Sequence, residues 1–183
     1  MAIRIPYGID PDETWDVDFC AEVARSGIQM ERQVASAMRE AQLTAKSPEA
    51  RASLEASAAR ADARAKEAEA DLAGYRAGSG PIFRVGAIPG RRRAELLGRH
   101  QEVSALEEGQ AKALATTDWA RDVVAIAVKG HRNLRTIRGA EVPFELTDGR
   151  VSDRTLEAYG QVLVDLAWVV LSQQRLEADG KNA

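Results

Sequence analysis

The sequence has a single cysteine, Cys20, so no internal disulfide can form. One thiol fits a reducing compartment better than a secreted one. Histidine is almost as scarce. His100 and His131 are the two in the chain, and neither has a cysteine or a second histidine at ligand spacing. His100-Gln101-Glu102 lacks the further histidine that a helical zinc motif requires. Gly-x-Ser-x-Gly does not occur, and the glycines between Gly74 and Gly80 lack the Lys-Ser/Thr of a phosphate-binding loop. The longest apolar run, Val162–Leu171, is broken by Asp165 and falls short of the ~20 residues that span a bilayer. Met1–Ile9 has no apolar segment of the kind a signal peptide carries. Positive charge is not in excess: the net charge is −3 and the pI about 5.5, which argues against bulk nucleic-acid binding. Together these absences predict a soluble, intracellular protein that is not an enzyme, takes no cofactor or metal, and has neither nucleic acid nor membrane as partner.

Aromatic residues make up only 5% of the 183 positions, so large rings cannot supply most of the core. Alanine is abundant, above all before residue 75. This composition predicts helices packed through small side chains, with help from oligomers or partners. The expected fold is mainly α: a compact helical domain with a small β element, plus a long antiparallel helical hairpin. Residues 1–20 are read as leader and strand, 21–76 as the hairpin arm, and 81–183 as the core domain.

The chain in order gives the reasons. Residues 1–13 are irregular and acidic. In Thr14–Phe19 apolar and acidic residues alternate, so Trp15, Val17 and Phe19 share one face of a strand. Trp15, Phe19 and Val23 also fit a helix, but Thr and Asp are weak helix formers, which favours the strand. From Ala21 to Lys46 the pattern is helical, with a bend expected at Ser26-Gly27 and an apolar stripe of Met30, Val34, Met38, Ala41 and Ala45. Ser47-Pro48-Glu49 signals a helix start. Leu54, Ala58, Ala61, Ala65, Ala68, Leu72 and Tyr75 then form a heptad seam. The pair reads as a hairpin roughly 42 Å long at ~1.5 Å per residue. It would serve as a spacer, or as an arm for a partner or for self-association.

Ala77–Pro81 breaks the helix. Ile82–Ile88 reads as a strand with Phe83, Val85 and Ala87 on one face, and Trp15–Phe19 is its natural partner. A long helix is expected from Arg91, using Leu96, Leu97, Val103, Leu106 and Leu114. Thr117 or Asp118 would cap a helix over Trp119–Lys129, closed by Gly130 as its C′ residue. Leu134–Leu146 is polar, with strand-like pieces and turn signals. Ser152 caps the most apolar helix, Asp153–Arg175, and the tail from Glu177 should fray.

Few residues ask for more than a structural explanation. Asp10, Asp12, Glu13, Asp16 and Asp18 form an acidic cluster without calcium-loop spacing, which is read as a solvated edge. Cys20 is read as a small buried hydrophobe. Arg91, Arg92 and Arg93 place three cations at a helix N-terminus, where the dipole opposes them. They either fan into water, pair with the acidic leader, or meet an acidic partner. Trp168 lies where the last helix is apolar almost all round, and such a helix is central to its domain or covered by another chain. Arg91, Arg92, Arg93, Trp168 and Leu171 are therefore the candidate partner-binding residues.

One order of features also carries a resemblance. Phe83-Arg84-Val85 leads through Pro-Gly into a charged helix at Arg93. An apolar helix ends at Val128-Lys129-Gly130. Asn133-Leu134 and Gly139-Ala140-Glu141-Val142-Pro143-Phe144 follow, then a helix ending near Leu171-Ser172 and the closing Gly180-Lys181-Asn182. This order resembles the tail assembly chaperones of long-tailed, siphovirus-like bacteriophages, with their Gly-x-x-Val-Pro-Phe turn and short polar tail. The likeness covers Pro81–Ala183, together with Thr14–Phe19, and leaves the 21–76 hairpin outside it. It implies a non-catalytic protein of the host cytoplasm that keeps the helical tape measure protein soluble until tail tube subunits polymerise around it. It also implies a longer form made by ribosomal frameshifting. Gly180-Lys181-Asn182 is compatible with a slippery GGA AAA AAC in the gene. The alternatives are a phage neck or tail component, in which the arm interlocks subunits, and an unrelated helical adaptor of the cytoplasm.

Overall fold

The computed structural model describes residues 14–136, 138–160 and 162–180, without the side chains of 173–180. The expectations for residues 1–13 and for the last three residues lie outside this range. The described chain is mainly helical, with a small antiparallel sheet. It divides into two compact units, Cys20–Ser79 and the remainder.

The first unit holds most of α1 (Phe19–Thr44) and all of α2 (Pro48–Gly74). Ser47 caps α2: its Oγ accepts from the Ala50 N–H at 3.1 Å, and Pro48 opens the first turn. The inward positions of α2 are Leu54, Ala58, Ala61, Ala65, Ala68, Leu72 and Tyr75, all buried or half-buried, as the heptad predicts. In α1 the expected stripe holds only in part: Met38 and Ala45 face inward and Val34 is half-buried, while Met30 and Ala41 are exposed. Met30 is 65% exposed, and Ala35 is the fully buried residue. The inward line is Ala21, Ala24, Ile28, Glu31, Ala35, Met38, Gln42 and Ala45. Two polar residues in that line hid it from a hydrophobicity reading. Both are used across the helix pair: Glu31 accepts two bonds from Arg64, at 2.9 and 2.8 Å, and Gln42 Nε2 donates to Glu55 at 3.5 Å. Arg32–Glu69 and Arg39–Asp62 are further cross-pairs. Partner numbers fall on α2 as they rise on α1, so the two helices run antiparallel. α1 continues unbroken through Ser26-Gly27.

The second unit is built on a three-stranded antiparallel sheet in the order β1-β2-β3. β1 (Thr14–Asp18) pairs with β2 (Ile82–Gly86) in the register Trp15↔Val85 and Val17↔Phe83. This puts the alternating apolar residues of both strands on one face. The Phe19 N–H donates to the Pro81 carbonyl at 3.1 Å, so the chain leaves and re-enters the sheet at neighbouring points. Phe83 is fully buried and meets Phe19 and Tyr159 edge-on, at centroid distances of 5.6 and 5.5 Å.

Three helix boundaries differ from the sequence reading. α3 (Gly90–Ser104) ends early, and α4 (Gln110–Ala127) starts after Gly109, whose φ of 150° separates the two. Thr117 and Asp118 do not cap a helix, since both lie inside α4, and the Thr117 hydroxyl donates back to the Ala113 carbonyl. Next, α4 stops at Ala127, and Val128–Arg132 is the strand β3, paired to β2. Gly130 is thus no C′ cap. It lies opposite Arg84 in the sheet, and its φ is not positive. Extended backbone wins here because β2 offers a hydrogen-bonding edge, which local propensity cannot register. The third difference is the final helix, which is two helices. α5 (Asp153–Tyr159) is capped by Ser152 and ends at Gly160, with φ 48° and ψ −119°; α6 (Val162–Gly180) follows.

The polar segment before α5 contains little sheet. β4 (Leu146–Thr147) and β5 (Arg150–Val151) form a two-residue hairpin through Asp148-Gly149, both at positive φ, the primed-turn geometry that Asp-Gly favours. The core of the unit lies between β2, α3, α4 and α6. Trp119, Val123 and Val124 of α4 and Leu166 and Val170 of α6 are inaccessible to solvent.

Candidate functional site

Two clefts gather the residues on which chemistry or recognition would depend. The first, of about 490 Å³, lies at the Gly-x-x-Val-Pro-Phe turn and is lined by His131, Asn133, Leu134, Val142 and Phe144, among others. His131 lines it but has no free ring nitrogen. Nε2 lies 2.8 Å from the Val142 carbonyl, to which it must donate, and Nδ1 lies 2.9 Å from the Tyr159 hydroxyl. Tyr159 keeps its phenolic proton, since burial pushes its pKa well up. Phe144 closes on the imidazole edge-on at 5.4 Å. Thr155, a buried hydroxyl with no signal in the sequence, accepts from the Glu145 N–H at 3.1 Å and donates to the Pro143 carbonyl at 3.4 Å. These bonds fasten the turn to α5. The arrangement pins the turn to β3 and α5.

The second cleft, about 240 Å³, lies between α3 and α6, with Arg93, Leu97 and His100 on one wall and Trp168, Leu171 and Ser172 on the other. It brings together three of the five candidate partner-binding residues. α6 is apolar nearly all round because it is central to its own unit: Leu163, Leu166, Ala167, Val169, Val170 and Leu171 are all buried. Leu171, at 3% exposed, belongs to this covered set and offers a partner almost no surface. Trp168 differs, with 40% of it exposed on the stripe that carries Asp165 and Ser172.

The Trp168 indole is held in place. His100 meets it edge-on at 4.5 Å, and Trp119 lies at 5.1 Å. Trp119 is itself fixed by donating Nε1–H to the Leu96 carbonyl at 2.9 Å. Burial among these rings lowers the His100 pKa. The cluster joins three helices at positions 100, 119 and 168, and no local pattern links them in the sequence.

The three arginines separate in the structure. Arg91 and Arg92 both reach Glu95, at 3.4 and 2.9 Å, one helical turn away. That pairing answers part of the unfavourable dipole contact and was legible as an i,i+4 and i,i+3 pattern. Arg93 is half-buried, and its buried Nε has no hydrogen-bond partner among the described residues. The described part of the acidic cluster is tied down elsewhere, since Asp16 pairs with Arg84 and Arg132. Cys20 is exposed, contrary to its expected burial.

Among the described residues, no group of three or more His, Cys, Asp or Glu side chains is arranged to hold a metal ion. No described helix is long and apolar enough to cross a membrane. Comparison of the chain with protein-family models, with curated proteins and with solved structures gave no match.

Proposed function

We propose that this chain is a non-catalytic tail assembly chaperone of a long-tailed bacteriophage, which binds the tape measure protein in the host cytoplasm before tail tube subunits polymerise. The observation that carries the reading is the α3–α6 cleft, where an immobilised, half-open Trp168 stands beside Arg93. Tryptophan and arginine dominate binding hot spots, and an aromatic already locked in its rotamer loses little entropy when a partner arrives. The order of sequence features from Phe83 to Phe144 supports the choice of family.

In this reading α1 and α2 form a long antiparallel hairpin that contributes apolar side chains of its own, with Met30 and Leu43 largely exposed. It serves the client or a second copy of the chain, and the tail tube protein is a further partner.

The test is co-expression with the tape measure protein of the same phage. The soluble fraction of that protein should rise clearly when this chain is present. Equal insolubility with and without it would end the proposal. Recovery of the chain from purified virions would point to a structural component of the particle instead.

A further inference from the structure

The two flanks of the α1–α2 helix pair differ. One is closed by polar pairs across the helices: Arg32 with Glu69, Arg39 with Asp62, and Gln42 with Glu55. On the other, α1 carries Val23, Gly27, Met30, Val34, Ala37 and Ala41, spaced four, three, four, three and four. That is the period of a coiled-coil seam, and it lies beside the inward line of α1. Met30 is 65% exposed, Gly27, Ala37 and Ala41 are exposed, and Val23 and Val34 are half-buried. We infer that this flank is the interface of a two-fold homodimer, in which two helix pairs lie antiparallel, α1 on α1 and α2 on α2.

The seam is self-complementary. Reversed about its middle, it places Met30 against the partner's Val34, Gly27 against the partner's Ala37, and Val23 against the partner's Ala41. Along the outer border Gln33 meets Gln33 and Glu40 meets Ser26, so no like charges oppose each other.

Charge on α2 selects the same arrangement independently. Arg64 bonds Glu31, which borders the seam, so the stripe of α2 that carries Arg64 faces the same way. Arg60, Arg64, Glu67 and Asp71 lie along that stripe, four, three and four apart. Arg60 reaches the Ala56 carbonyl and the Ser57 hydroxyl of its own helix. Among the described residues, Arg60, Glu67 and Asp71 have no ion-pair partner. Reversal sets Arg60 against the partner's Asp71 and Arg64 against the partner's Glu67. The Glu31–Arg64 bond also puts the middle of this stripe level with Met30–Val34, so one two-fold axis serves both helices. An axis along the helices would instead lay the apolar seam of α1 on the charged stripe of α2.

Area is sufficient. α1 has 26 residues, about 39 Å at ~1.5 Å each, and two helices side by side are about 20 Å wide. The face is then about 800 Å² per copy, the size of a standard interface. It belongs to the unit Cys20–Ser79 alone, so its failure would leave the proposed function standing.

The test is sedimentation velocity of the full chain from about 1 to about 200 µM, since interfaces of this size have Kd values of micromolar or tighter. A concentration-dependent dimer is expected. Met30→Glu should weaken it at least tenfold, because a charge would then be buried against the partner's Val34. Ala37→Glu is the second variant, and the helical circular dichroism signal checks the fold of both. Arg60→Glu and Asp71→Arg should each weaken the dimer about threefold, and the two combined should restore it. In a Cys20→Ser background, chains with Met30→Cys mixed with chains carrying Val34→Cys should crosslink on oxidation. Chains with Val23→Cys should not, because their thiols lie roughly 27 Å apart at ~1.5 Å per residue. A chain that stays monomeric across the range overturns the inference. So does a dimer indifferent to Met30→Glu and Ala37→Glu, or one that crosslinks through Val23→Cys instead.

Discussion

At the scale of single residues, the two histidines show how little a lone titratable group reveals before its neighbours are known. Neither had a cysteine or second histidine at ligand spacing; in the structure His100 meets the Ser104 hydroxyl one turn on, at 3.2 Å, and both histidines pack against rings from distant segments. His131 is a tether for the Val142–Phe144 turn. His100 is packed against two indoles, which gives it a measurable signature. Burial depresses its pKa from the ordinary 6.5, so at neutral pH it carries less charge in the folded than in the unfolded chain. As pH falls through about 6.5 the unfolded chain takes up the proton first, and folding stability declines until the folded-state pKa is passed. Thermal unfolding measured from about pH 7.5 down to about pH 5 should show this decline. The His100→Phe variant should show a shallower one, and an unchanged slope would contradict the assignment.

At the scale of elements, the decisive features are small side chains and special backbone. Ala61 of α2 and Ala35 of α1 are completely buried, and their lack of bulk lets the helices approach closely. Ala61→Leu should overpack that contact and lower the stability of the helix pair by about 1–3 kcal/mol, read as an earlier melt of the helical circular dichroism signal. Gly160 separates α5 from α6 at φ 48° and ψ −119°, a conformation that L-residues avoid. Gly160→Ala should cost about 1–3 kcal/mol in urea denaturation, or else force the two helices into one. Two helix starts were legible, while those of α4 and α6 were not. Ser47 and Ser152 were read as caps, and both accept the expected backbone N–H. Helix ends were less legible. At Ala127 the switch to β3 depends on β2, which is remote in sequence, and Gly109 was passed over because the apolar positions continued on either side of it.

At the scale of the whole molecule, the unit Cys20–Ser79 interrupts a sheet whose first two strands pair directly. The bond from the Phe19 N–H to the Pro81 carbonyl, with Asp18 opposite Ile82, puts the two crossing points at neighbouring positions. A tight turn could make the same connection. Replacing residues 20–79 with a short Gly/Asn turn should therefore leave the sheet-and-helix unit folded, with a cooperative unfolding transition and the Trp119 environment retained in fluorescence. A molten product, with no cooperative transition, would show instead that the excised residues are needed for that unit's stability.

The sequence alone determined the helical class, the pairing of the Thr14–Asp18 strand with Ile82–Gly86, the α2 seam and the caps at Ser47 and Ser152. Each of these follows from periodicity or from local backbone chemistry, which acts over a few residues. Tertiary structure decided the inward face of α1, where cross-helix pairs keep Glu31 and Gln42 inside. It also decided the strand at Val128–Arg132 and the burial of Leu171. Above all it decided the meeting of His100, Trp119 and Trp168 beside Arg93. These depend on which segments come together across the fold, and side-chain spacing along one segment carries no record of what will be packed against it.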